Sequence, residues 1–204
     1  MQRSWRNDTD KLTFICCLPL QVPSSLLPST EVTDEDNDKK LAEQVQAIES
    51  SKHDAPDRMI GDVNLFLYPS EDDDQDDTDA QTDSTPRFEP LIGELEIMIA
   101  HPKHQNLGLG TVILSTFLWY ILSHLSQITS GYSSNAELTH LRVKISAENL
   151  RSIRLFEKVG FKKVCEEPNY FGEVELRWGI GERETKRKEV EERLGYVPRV
   201  LVFT

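Results

Sequence analysis

Cysteine is scarce in this chain: Cys16, Cys17 and Cys165 are the whole complement. Three thiols cannot form a disulfide framework, and these three match no metal-ligand spacing. Neighbouring strand residues point to opposite faces, so Cys16 and Cys17 read as small apolar fillers. Long apolar runs are missing too. The longest apolar-rich segment, Thr111 to Leu125, is interrupted by polar residues and falls short of the ~20 residues that span a bilayer. Leu12 to Leu20 is apolar and near the start, but Asp8 and Asp10 precede it where a secretory signal would be basic. These absences point to an intracellular chain with reduced thiols, cytoplasmic or also nuclear, with no membrane partner and no metal. Positive charge is in deficit: 23 Lys and Arg stand against 35 Asp and Glu, a net charge of −12. That sign disfavours nucleic acid as a partner.

Apolar residues make up 38% of the chain and the mean hydropathy is −0.46. Both are low for one compact domain of 204 residues, so part of the chain is expected not to fold. The charge map says which part. Residues 21–58 sum to −5 and residues 69–87 to −7, which together carry the whole net charge. The remainder is balanced, so the acidity belongs to two insertions and carries no information about an active site.

What is present is organised around Gly93 to Gly110, GELEIMIAHPKHQNLGLG. It reads as a strand, a turn and the opening of a helix. Glu94, Glu96 and Met98 alternate with Leu95, Ile97 and Ile99, which places the two sets on opposite faces. From Thr111, apolar residues recur by threes and fours: Val112, Ile113, Leu114, Phe117, Leu118, Ile121, Leu122 and Leu125. A glycine loop running into a helix N-terminus is an anion site, because the first helical N–H groups lack partners. The mononucleotide pattern G-x-x-x-x-G-K-[ST] is absent, and Ile113 stands where a dinucleotide fingerprint needs a third small residue. The bland alternative is a two-glycine turn before a core helix.

A second stretch follows the strand at 141–146, LRVKIS. It reads Asn149-Leu-Arg-Ser152-Ile-Arg-Leu-Phe156-Glu-Lys158-Val-Gly160-Phe161. Asn149 is a good N-cap and Gly160 a good residue just past the C-terminus, so the piece is a helix of about three turns. The two motifs, Gln105-x-x-Gly108-x-Gly110 and N-x-x-[SA]-x-x-L-[YF]-x-[KR]-x-G-F, resemble the acetyl-CoA-contacting motifs of the GNAT superfamily of N-acyltransferases. MQRSWRNDTDKLTFI, MIGDVNLFL, SIRLFEKVGF and EVELRW also resemble its N-acetyltransferase 9 group.

The resemblance implies an α/β (α+β) fold with a mixed central sheet splayed between the strands at 94–100 and 141–146. It also implies that the usual first strand and first helix are missing. The expected organisation is one GNAT N-acetyltransferase domain over 1–179, with disordered acidic insertions at 21–58 and 69–90, then a charged helix and tail over 180–204. Acetyl-CoA is the implied co-substrate and an amine the acceptor, most readily the α-amine of a protein or peptide, with tubulin a candidate. The pantetheine arm is expected along Met98, Ile99 and Ala100. The pyrophosphate is expected on the loop Gln105, Asn106, Leu107, Gly108, Leu109, Gly110 and Thr111, with Asn149, Ser152 and Phe156 from the second motif. Glu94 falls at the position of a general base in the histone-acetylating branch, and Glu96 shares its face; solvated surface carboxylates are the alternative. The superfamily's tyrosine acid is replaced by Phe156, leaving solvent or Tyr170. His101 and His104 flank the loop, where a histidine is more often a phosphate neighbour or a surface residue than a base. The competing function is a truncated, weakly active or inactive module that works by protein binding through its acidic loops.

The remaining chain reads as strands at Leu12–Leu18 and Met59–Tyr68, a loop over Ser126–Ala136, and an antiparallel pair at 161–166 and 172–178. Glu182–Arg193 reads as a charged helix with little apolar face, and Val197–Phe203 has no assigned place.

Overall fold

The computed structural model describes residues 8–18, 56–70 and 88–200. Trp5, most of both acidic insertions and residues 201–203 lie outside the described residues. Six strands form one sheet: β1 (Lys11–Cys17), β2 (Met59–Pro69), β3 (Glu89–Ile99), β4 (Ala136–Ser146), β5 (Lys162–Lys163) and β6 (Glu173–Gly179). Their spatial order is β1-β2-β3-β4-β6-β5. All neighbours are antiparallel except β3 and β4, which run parallel. That exception follows from the helix between them, since a crossover returns the chain in the same direction.

Three helices complete the fold: α1 (Leu109–Tyr132), α2 (Leu150–Lys158) and α3 (Arg183–Leu194). Leu114, Leu118, Ile121 and Leu122 on α1 are fully buried, as are Leu65, Leu95 and Leu141 on three neighbouring strands. Gly93 makes that packing possible. A Cβ there would lie 2.7 Å from Leu141 and 2.8 Å from Leu65.

Several expectations are corrected. The helix expected to end at Leu125 continues to Tyr132, and only residues 133–135 remain as a loop before β4. Ile128 and Tyr132 pack against the core and Thr129 is buried, so tertiary contacts override the weak helix formers of the last turns. At 24 residues α1 is long and apolar enough, by length and composition alone, to cross a bilayer. The argument from shortness therefore fails, although its apolar face packs against the sheet. Cys16 is partly buried against the core, but a register shift between Cys16 and Cys17 leaves Cys17 exposed rather than filling space. The insertions are also narrower than their charge suggested. Pro56–Arg58 forms a short 3-10 turn, Pro69 belongs to β2, and Glu89 and Pro90 open β3.

The helix at the C-terminal end proves to be part of the same body. Val190 is 1% exposed, Trp119 Nε1 on α1 donates to Glu191 at 2.9 Å, and Arg183 donates to the carbonyls of Leu122 and Ser123. The two carbonyls that Arg183 reaches precede His124, whose φ of −116° and ψ of 18° interrupt α1. A side chain has taken up backbone groups at the kink.

Candidate active site

The parallel ladder between β3 and β4 runs from Glu89 opposite Ala136 to Glu94 opposite Arg142, and stops there. Both strands continue, to Ile99 and Ser146, without pairing to one another. The sheet therefore forks. Ala100 donates its N–H to Ile60 on β2, and backbone groups alternate sides along a strand. The amides of Ile97 and Ile99 therefore turn into the fork, and those of Met98 and Ala100 turn towards β2. Of the residues expected along the pantetheine arm, Ile99 turns its amide into the fork, as does Ile97, which was not expected there, whereas Met98 and Ala100 turn theirs towards β2.

At the open end of the fork, Gln105 donates from Nε2 to the Ile99 carbonyl at 3.0 Å, tying the glycine loop to the end of β3. The loop turns through two left-handed residues, Asn106 (φ 62°) and Gly108 (φ 79°). Gly108 is the N-cap of α1 and accepts from Thr111 and Val112. The Thr111 N–H is thereby used. Those of Leu109 and Gly110 stand at the first two helical positions, where no intrahelical acceptor exists. Asn149 Oδ1 accepts from the Ser152 N–H at 3.2 Å and caps α2.

The two helix N-termini converge on one groove of about 530 Å³, within the range of ligand sites. Of the expected contacts, Ile99, Gln105, Asn106, Gly108, Gly110, Thr111, Asn149 and Ser152 line it. Leu107 is 65% exposed and outside the lining, and Leu109 can contribute only its backbone. Phe156 is 1% exposed and packs edge-on against Phe161 at 5.1 Å. It is a core residue under α2, not a wall of the groove. Two cations that sequence reasoning did not assign, Arg151 and Arg154, also line the groove. Arg151 donates to Asn106 Oδ1 at 2.6 Å across 45 residues of sequence. The only local signal for it was a basic residue beside the Asn149 cap.

None of the expected base and acid candidates, Glu94, Glu96 or Tyr170, is among the residues that line the groove. Cross-strand register places Glu94, Glu96 and Met98 on one face of the sheet with Phe66, Asn64, Asp62 and Arg142. Glu94 Oε2 lies 2.7 Å from Arg142 Nε and 4.0 Å from Lys144 Nζ. Arg142 covers the Tyr68 ring at 5.6 Å. The Tyr68 hydroxyl is pushed above its ordinary value, first by burial and then by Glu94; Arg142 opposes this, and Glu96 and Asp10 add to it. Tyr170 does not fold back: it is 96% exposed and meets only Phe171 edge-on. His101 Nδ1 accepts from the Lys103 N–H at 3.2 Å, capping the 3-10 turn Pro102–His104. His104 is pushed below its ordinary value by desolvation, then by Lys103 and His101. Among the described residues no group of three His, Cys, Asp or Glu could hold a metal ion.

The sequence profile of the acetyltransferase (GNAT) domain matches residues 5–162. An N-acetyltransferase 9-like protein of Schizosaccharomyces pombe is 37% identical over 183 residues, covering 86% of this chain and 73% of that protein. The alpha/beta-tubulin-N-acetyltransferase 9 of Mus musculus is 33% identical over 186 residues, 91% of this chain and 55% of that protein. Its Homo sapiens counterpart is 32% identical over 184 residues, 90% and 63%. The chain therefore spans less than two thirds of either mammalian relative. Among solved structures, Arabidopsis thaliana NAA60 in complex with acetyl-CoA aligns with a TM-score of 0.41 at 14% identity, covering 64% of this chain and 71% of that one. From the profile match and the identity to the S. pombe protein, the chain belongs to the GNAT family of acetyltransferases, in its N-acetyltransferase 9-like group.

Proposed function

We propose that this chain transfers the acetyl group of acetyl-CoA to an amine, and that the amine is the α-amine of a protein N-terminus. The observation that carries the reading is the fork between β3 and β4, which opens onto a groove closed by two helix N-termini. Acetyl-CoA, when bound, supplies the acetyl thioester. The residues present suit it: the N–H groups of Leu109 and Gly110, without intrahelical acceptors, suit an anion, with Arg151 and Arg154 beside them in the groove. The inward amide of Ile97 suits the amide groups of an extended arm. The Ile99 N–H is placed to donate to a carbonyl oxygen as negative charge grows on it, an interaction worth about 3–4 kcal/mol.

The choice of an α-amine rests on chemistry and on relatives. The attacking nitrogen must be neutral, and an α-amine titrates near 7.7–8.0 against about 10.4 for lysine. Two relatives are named for acetylating tubulin, so tubulin N-terminal peptides head the acceptors to try. The test is incubation with acetyl-CoA and peptides that carry a free N-terminus, a lysine, or both, followed by mass spectrometry. Acetyl on the α-nitrogen is expected. Transfer to lysine alone would remove the α-amine, and no transfer to any amine would remove the function.

A further inference from the structure

The polar face of the sheet carries two glutamates, and we infer that they divide the work: Glu94, bound to Arg142, pins the fork at its last rung, and Glu96 takes the proton from the attacking amine. The inference rests on the transfer reading above.

Glu94 and Arg142 are the last paired residues of β3 and β4, and their side chains bond across that rung. Beyond them the strands part. The pair is largely shielded, with side-chain exposures of 20% for Glu94 and 12% for Arg142. Removing the counter-charge of a shielded guanidinium is strongly unfavourable. A carboxylate in that position is suited to fixing where the strands separate and poorly suited to picking up a proton in each turnover. Glu94 is therefore a positioning residue.

Glu96 stands one strand period further along the same face, past the last rung and beside the open fork. It is exposed, and among the described residues it forms no hydrogen bond or ion pair through its side chain. The groups on its face are Asp62, Asn64 and Tyr68 on β2, Lys11 on β1, Glu94 on its own strand, and Arg142 and Lys144 on β4. In the step assigned to it, the amine nitrogen bonds to the acetyl carbon and the carbon–sulfur bond breaks. The amine proton passes to the Glu96 carboxylate, directly or through one water, and the departing thiolate takes a proton from solvent.

The test compares the full chain with Glu96→Gln, Glu94→Gln and the double variant Glu94→Gln/Arg142→Gln. Acetyl-CoA affinity, melting midpoint, and kcat and KM for a peptide with a free N-terminus are measured from pH 6 to 9. Glu96→Gln is expected to lower kcat by about 100-fold or more, with acetyl-CoA affinity and melting midpoint unchanged. Its residual rate should follow only the neutral fraction of the amine. Glu94→Gln should keep the wild-type pH profile while acetyl-CoA affinity and melting midpoint both fall. The double variant, with no charge left alone, should recover part of each. A Glu96→Gln variant of full activity overturns the division, as does a Glu94→Gln variant that binds and melts like wild type but loses the acid limb of its profile. A wild-type chain that binds acetyl-CoA yet acetylates no amine overturns the transfer reading, and this inference with it.

Discussion

Cys16 shows how one residue's surroundings become a measurable property. Burial, then Asp62 and Cys17, push its thiol up from 9.0 to about 11. Between those values the unfolded chain loses this proton while the folded chain keeps it. Stability is therefore unaffected by this group below pH 9 and falls as pH rises from 9 towards 11. Denaturant midpoints at pH 8, 9.5 and 10.5 should decline in wild type and decline less in Cys16→Ala. An equal decline in both would show that the thiol is not held as described. Residue-scale reading of the sequence succeeded where the cause was local. Asn149 caps its helix and Gly160, just past its end, takes a positive φ of 105°, both legible from type and position. The partner of Glu94 was not legible, because Arg142 lies 48 positions away and only the register of β3 on β4 brings them together. Phe156 was misplaced for a related reason. A motif gives a residue's place along a helix, whereas its burial depends on where Phe161 and the sheet lie.

Among the elements, the strands were legible in place but not in extent: β3 and β4 each begin five residues before the expected 94 and 141, and of the strand expected at 161–166 only Lys162–Lys163 forms one. α1 was cut short because Ser126 to Tyr132, with Gly131 among them, looks like a loop; packing against the core holds it helical. α3 looked like a solvated helix because one buried valine among charges leaves almost no apolar periodicity. Its attachment is a polar one, through Glu191 and Arg183. The consequence is testable. Val190→Ala removes two buried carbons and should cost roughly 2 kcal/mol, and Val190→Asp, with an unpaired buried charge, should cost more. Thermal melts would show both losses in a single transition. A melt of Val190→Asp that matches wild type would mean that α3 is not part of the cooperative unit.

For the whole molecule, the acidic insertions join the fold at narrow necks. Leu18 donates to the Arg58 carbonyl at 2.9 Å, and Arg58 Nη2 returns a bond to the Leu18 carbonyl at 2.8 Å. Ser70 donates to Pro90 at 2.8 Å at the second neck. Both insertions thus interrupt antiparallel pairs, β1 with β2 and β2 with β3, at positions where a short turn would serve. Loop closure varies by only about 0.6 kcal/mol per doubling of length. Replacing residues 20–55 and 71–87 by short turns should leave acetyl-CoA binding within about twofold and the melting midpoint unchanged or raised. A clear fall in either would mean that the acidic segments support the domain.

The central claim is that the glycine loop and the converging helix N-termini hold the cofactor's pyrophosphate, and calorimetric titration with acetyl-CoA tests it most directly. Wild type is compared with Gly108→Ala and Gly108→Glu. The left-handed backbone strains both variants by about 1–2 kcal/mol, and no atom lies within 4 Å of a Cβ at this position, so alanine isolates the strain. The account predicts that wild type binds, that Gly108→Ala binds more weakly, and that Gly108→Glu loses at least a further tenfold, about 1.4 kcal/mol, because its carboxylate faces the phosphates. Glutamate and alanine variants of equal affinity would contradict it.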